Sequence, residues 1–176
     1  MTRGNARELA VHLIYSREFT GEAPGDVIAT RLEKAYYDDL ACENEVYAEH
    51  PTNRQIRYLE QVVSGVASQK DMLNDTIGTY SIGWDVKRIS RLTKVILQLA
   101  IYEILFVEDV PDGVAVSEAV RLAKKYDADA GAFVNGILGS FVRGKNAPKE
   151  EAPAEASADL AEEEQAAPAA VASEEM

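Results

Sequence analysis

The stretch Leu92–Val107, LTKVILQLAIYEILFV, decides the fold. From Val95 onward its only strongly polar residues are Gln98 and Glu103, so apolar side chains occupy nearly every direction around a 3.6-residue turn. A helix that is hydrophobic all round belongs at the centre of a bundle, covered on every side by other elements. The same stretch is too short and too polar for a membrane span, which needs about 20 apolar residues.

Working outward, the neighbouring segments have the one-sided pattern of helices that could cover such a centre. Ala6, Leu9, Ala10, Leu13 and Ile14 recur at helical spacing, and Gly21, Pro24 and Gly25 end that run. A second helix is expected after Asp26, burying Ile28, Leu32, Ala35 and Tyr36, followed by a polar loop from about Leu40 to Pro51. Thr52 and Gln55 have capping-box spacing and open a third helix through Ile56, Leu59, Val63 and Val66. Residues Ser68 to Asp71 cap a fourth, carrying Leu73 and Ile77; Gly78–Gly83 is a break, and Trp84, in a short turn after it, reads as a core anchor. Beyond the central stretch, Val116, Ala119, Val120 and Ala123 mark one helix, and Phe133, Val134, Ile137, Leu138 and Phe141 mark another ending near Gly144. No run alternates as a strand does. The expectation is an all-α domain of about seven helices over residues 1–145.

Residues 146–176 differ in kind. They are nearly all Ala, Glu, Pro and Ser, with nine acids and one base, which accounts for most of the net charge of −12. Such a composition buries too little apolar surface to offset ordering entropy, so a disordered acidic tail is expected. Residues 1–145 hold 17 bases and 21 acids and are only mildly acidic. Their charge is uneven: acids dominate Glu18–Glu49, whereas Lys87, Arg88, Arg91 and Lys94 form a basic run. Local sign decides which partners approach. Cys42 is the only cysteine, which leaves no internal disulfide. The N-terminus lacks the apolar segment of a signal peptide, and a cytoplasmic location is expected.

No catalytic constellation is visible. His12 and His50 lie on different elements without metal-ligand spacing, and no phosphate-cradling glycine loop or nucleophile elbow occurs. Neither a metal nor a cofactor is expected. Gly136-Ile137-Leu138-Gly139 has the spacing of a phosphate clamp, but it sits inside a helical pattern and reads as helix packing through small residues.

Three features suit a nucleic-acid or protein partner. Arg3, Arg7, Val11 and Tyr15, four residues apart, form a stripe on the first helix: either a solvated flank, or guanidiniums for phosphate with a ring for an unpaired base. Lys87, Arg91 and Lys94 share a face, either solvated or a docking surface for phosphate or an acidic protein. Lys124-Lys125-Tyr126, with Phe133 nearby, pairs bases with aromatics in a way that suits single-stranded RNA, or else places both rings in the core. Tyr80, in the break, is grouped with the RNA-contacting candidates.

Four motifs carry a family resemblance. Arg7-Glu8-Leu9-Ala10-Val11 followed by Ile14-Tyr15, then Ile96–Ile104 with Asp109-Val110-Pro111, Ser117–Lys125, and Phe133-Val134-Asn135-Gly136-Ile137-Leu138 resemble the NusB family of bacterial transcription antitermination factors, over about residues 3–143. The resemblance implies an all-helical fold of two small bundles. It also implies binding of the boxA sequence of nascent ribosomal RNA together with NusE, a small-subunit ribosomal protein, in the transcription elongation complex with RNA polymerase. The first-helix arginines then match the RNA-contacting arm. Tyr126 and Phe133 match aromatic positions near the RNA, and the helix of Arg91, Lys94 and Gln98 matches part of the NusE-facing surface. Two departures stand out: only Arg3 and Arg7 precede Arg17 where the family has a denser arginine cluster, and Gln98 stands where many members carry a base. With so few arginines, NusE is expected to supply much of the RNA site.

Two other classes compete. A similar helical module opens some ribosomal RNA cytosine methyltransferases, but no glycine-rich loop follows a strand here. A structural adaptor without RNA contact, monomeric or homodimeric, is the third.

Overall fold

The computed structural model describes residues 1–83 and 89–147. Trp84, Lys87, Arg88 and the sequence beyond Ala147 lie outside the described residues, and with them the expectations of a core anchor, of half the basic run and of the tail.

Among the described residues there are eight α-helices and no strand: α1 (Arg3–Thr20), α2 (Pro24–Arg31), α3 (Lys34–Leu40), α4 (Asn53–Ser68), α5 (Lys70–Tyr80), α6 (Arg91–Phe106), α7 (Asp112–Tyr126) and α8 (Ala130–Asn146), with a 3₁₀ turn at Glu45–Tyr47. The all-helical expectation holds. The central stretch is α6, buried continuously from Val95 to Ile104 and packed against α1, α4, α5, α7 and α8. Helices α1, α2 and α4 form one small bundle on one side of it, and α5, α7 and α8 the other.

Local chemistry sets the helix starts. Thr52 accepts from the Gln55 backbone while Gln55 Oε1 accepts from the Thr52 N–H at 2.9 Å, so the capping box opens α4 as its spacing requires. Ser90 caps α6 by accepting from the Thr93 N–H at 3.1 Å. Ser68 does not cap α5; its hydroxyl donates to the Gly65 carbonyl, and α5 starts after Gln69 without a side-chain cap.

The second expected helix is two. Leu32 ends α2 and α3 restarts at Lys34, which turns the chain so that Tyr37, fully buried, replaces Tyr36 in the core, while Ala35 is exposed. The Tyr37 hydroxyl donates to the backbone carbonyls of Val46 and Glu49 at 3.3 and 3.2 Å, tying the polar stretch before Pro51 to the bundle. Gly136 and Gly139 do lie inside a helix, as expected, but a Cβ at Gly136 would meet open space, so close packing there is not through Gly136.

Candidate nucleic-acid interface

The four-residue stripe on α1 does not stay on one face. Each step of four overshoots a turn by about 40°, so from residue 3 to residue 15 it rotates by about 120°. Arg3 is exposed, Arg7 is 6% exposed, Val11 is fully buried and Tyr15 is half-buried. Arg7, expected to face a ligand, instead points into the seam between α1, α4 and α6. Its Nε donates to both Glu103 oxygens, at 2.9 and 3.1 Å, and the Tyr58 hydroxyl donates to Glu103 Oε1 at 2.9 Å. Burial pushes the Glu103 carboxyl upward, opposed by the Arg7 charge and the hydrogen bonds from Tyr58 and Arg7.

The other flank of α1 meets the end of α7. Glu8, 1% exposed, accepts from Tyr126 at 2.8 Å and pairs with Lys125 Nζ at 2.8 Å; Lys125 also reaches Glu45 at 3.3 Å. The hydrogen bond to Glu8 is the leading reason that the Lys125 ammonium is held above its usual range. The Tyr126 oxygen lies 2.6 Å from His12 Nε2, and Tyr47 lies 2.9 Å from His12 Nδ1. With the Tyr126 proton committed to Glu8, Nε2 donates and Nδ1 accepts from Tyr47. Lys125 and Tyr126 are thus positioned by a buried acid that the sequence does not single out, although Tyr126 as a residue stays 38% exposed.

This network carries a pH dependence. Burial lowers the His12 pKa from 6.5, with Glu8 opposing and Lys125 assisting. Between that lowered value and 6.5 the unfolded chain binds more proton than the folded one, so stability rises with pH through this window and is lost as pH falls. Glu103, raised by burial, works in the opposite sense from 4.5 upward, so the diagnostic is a difference between two proteins. The gain in melting temperature from pH 5.5 to 7.5 is expected to be larger for the wild type than for His12→Gln. Equal gains would remove His12 as the titrating group.

A second cluster joins α1 to α6. Tyr15 meets Phe19 edge-on with centroids 5.0 Å apart, and the Arg91 guanidinium lies 4.6 Å from the Phe19 ring centre. Phe19, 60% exposed, was missed, although it is the next member of the four-residue series. Lys94 is partly exposed on the same helix. Gln98, expected to face a protein partner, is 1% exposed, and its Nε2 donates to Asn74 Oδ1 at 2.8 Å; it sits behind that surface, on the α5–α6 seam. The remaining candidates are spread over the second bundle. Tyr80 packs edge-on against Phe141 at 5.5 Å, Lys124 is exposed with its stem over Gly131, and Phe133 is partly buried against the core.

Between α1 and α4 lies a cleft of about 440 Å³. Arg3 and Arg7 line it from α1, Arg54, Arg57 and Gln61 from α4, and Val107 and Asp109 from the end of α6 and the turn beyond. The α4 residues were absent from the sequence reading, which treated that helix as core; their i, i+3, i+7 spacing was the available signal. Among the described residues no group of His, Cys, Asp and Glu side chains could hold a metal ion, and no helix is long and apolar enough to cross a membrane.

Comparison with known proteins agrees with this architecture. The family model described as "NusB family" matches residues 4–143. The transcription antitermination protein NusB of Symbiobacterium thermophilum is 37% identical over 145 residues, covering 82% of this chain and 91% of that protein. That of Acetivibrio thermocellus is 38% identical over 146 residues, with 82% and 91% covered. Among solved structures, T. maritima NusB superposes with a TM-score of 0.66 at 26% identity, over 81% of this chain and 92% of that one. A chain from a crystal structure of antitermination factors NusB and NusE in complex with double-stranded RNA matches the fold with a TM-score of 0.62 at 22% identity, covering 81% and 96%. With its helical core, its matched residues 4–143 and these relatives, the chain belongs to the NusB family, a family of transcription antitermination factors rather than of enzymes.

Proposed function

We propose that this chain binds the boxA RNA of nascent ribosomal transcripts jointly with NusE, in the cytoplasm, as part of an RNA polymerase elongation complex. The family match over residues 4–143 is the observation that carries the reading. A fold neighbour crystallised with NusE and RNA supports it, as do the exposed cations Arg3 and Lys124 and the part-exposed Tyr126 on neighbouring elements. On this reading Arg3, Lys124, Lys125, Tyr126, Phe133 and Tyr15 serve RNA, and Arg91 and Lys94 serve NusE. Arg7, Gln98 and Tyr80 act from behind, by positioning the helices that carry the contacts. Residues 1–145 are the binding domain, and the acidic sequence of residues 146–176 repels RNA over distances up to the screening length, roughly 10 Å at 0.1 M salt.

The test is a titration of labelled boxA RNA with the full chain, alone and with NusE, across salt concentrations. NusE is expected to tighten binding, and Arg3→Glu to weaken it and to flatten the slope of log K against log salt. A chain truncated after Ala147 is expected to bind more tightly at low salt and equally at high salt. If NusE leaves the affinity unchanged, the joint-binding reading is wrong.

A further inference from the structure

The α1–α4 cleft has a property that the first-helix arginines alone do not explain. Four guanidiniums line it, two from each helix, against a single lining acid, Asp109. Arg3 and Arg57 have neither an ion-pair nor a hydrogen-bond partner among the described residues. Arg54 reaches Asp109 only at 3.5 Å, with the two side chains 71% and 81% exposed, a pairing too wet and too long to neutralise either group. Arg7 is paired with Glu103 through its Nε, so the uncompensated charge of the cleft rests on Arg3, Arg54 and Arg57. Both helices begin at this place: Arg3 is the first residue of α1, and Arg54 the second of α4. Their N-terminal dipole ends add to the positive potential. Cations concentrated in a concave, partly walled space hold an anion better than the same cations spread on a convex surface, because low-dielectric walls focus the field. The volume lies within the range, roughly 300–1,000 Å³, of sites that enclose small organic groups.

We propose that this cleft is a phosphate-binding groove for the RNA backbone, in which Arg54 and Arg57 of α4 face Arg3 of α1 across a phosphate of the bound strand. The inference rests on the RNA-binding reading above and adds a second wall to that surface. Guanidiniums supply forked N–H donors that match phosphate oxygens, and three of them converging from two helices fix the strand's path as well as its affinity. The contact reads no base, so it sets register and strength while sequence is read elsewhere.

The experiment compares wild type, R54Q/R57Q and R3Q as full chains with NusE, titrating labelled boxA RNA and an RNA of the same composition in scrambled order over a range of salt. Arg54 and Arg57 are exposed, so R54Q/R57Q is expected to keep the wild-type melting temperature. The double variant is expected to lose roughly tenfold in affinity at low salt, as for a lost charge-assisted contact. Its salt slope is expected to fall by about 0.7 for each single-strand phosphate released. Three outcomes overturn the proposal. If R54Q/R57Q matches wild type in affinity and slope while R3Q weakens binding, the α4 wall is idle and the RNA-binding reading survives. If R54Q/R57Q loosens NusE association measured without RNA yet leaves the RNA salt slope intact, the cleft is a protein surface. If wild type with NusE prefers no RNA over another, the underlying reading fails and takes the groove with it.

Discussion

Glu103→Ala is expected to cost about 3–5 kcal/mol of folding free energy, the penalty for leaving one member of a buried ion pair without its partner. The substitution strands the Arg7 guanidinium, which is 6% exposed, in a seam between three helices. It also removes the acceptor of the Tyr58 hydroxyl. At roughly 2–4 °C per kcal/mol for a domain of this size, the melting temperature should fall by about 10 °C. Replacing both charges and the hydroxyl that depends on them by apolar groups, as in R7M/Y58F/E103L, is expected to be nearly neutral or stabilising, because neither a desolvated charge nor an unpaired hydroxyl remains. Urea denaturation of the three proteins separates these cases. A loss below about 1 kcal/mol for Glu103→Ala would mean that the pair is wetter than its geometry indicates. The same argument makes Arg7 a poor probe of RNA contact. Arg7→Glu would set two carboxylates against each other in the seam, and a loss of binding would follow from a loss of folding. Arg3, exposed one turn earlier, is the cleaner probe.

Gly65→Ala is the second large effect, and its sign depends on Tyr102. A Cβ at Gly65 would lie 2.0 Å from Cζ of the Tyr102 ring and 2.1 Å from its hydroxyl oxygen, inside any allowed contact. The ring is 9% exposed and packs against Phe106 with centroids 5.0 Å apart, so it cannot swing aside without opening the α4–α6 seam. Overpacking of this kind costs typically 1–3 kcal/mol. The gain in helix propensity from glycine to alanine, about 1 kcal/mol, offsets part of it. A contact as short as 2.0 Å belongs at the upper end of that range, so a net loss of about 2 kcal/mol is expected in the wild-type background. In a Tyr102→Ala background the space is free and only the propensity gain remains, so Gly65→Ala should become stabilising. A double-mutant cycle by chemical denaturation reads this directly. Additive effects would show that α4 and α6 are not in the close contact described.

Both effects concern the helices that frame the basic cleft, and they show what sequence reading reaches and what it misses. The central helix was legible because hydrophobicity on every side leaves a helix one place to go. The start of α4 was legible because a capping box is a local device with a fixed spacing. The break at Leu32 was not, since no proline or glycine marks it; burial of Tyr37 in the tertiary structure decides it. The α1 stripe was half legible. Four-residue spacing identified the residues, but the turn of the helix carries Arg7 and Val11 inward and leaves Arg3 outside. Glu8 was missed because it lies among apolar neighbours and finds its partners, Lys125 and Tyr126, more than a hundred residues away. The cleft was missed for the same reason. Arg3 and Arg57 are far apart in the chain, and only the packing of α1 on α4 makes them one surface.

Competition between RNAs decides whether this chain reads ribosomal RNA jointly with NusE. The full chain is mixed with equimolar NusE at moderate salt, and labelled boxA RNA is displaced by unlabelled boxA or by an RNA of the same composition in scrambled order. Unlabelled boxA is expected to compete at least about tenfold more effectively than the scrambled RNA, a difference of about 1.4 kcal/mol. Equal competition by the scrambled RNA would contradict it.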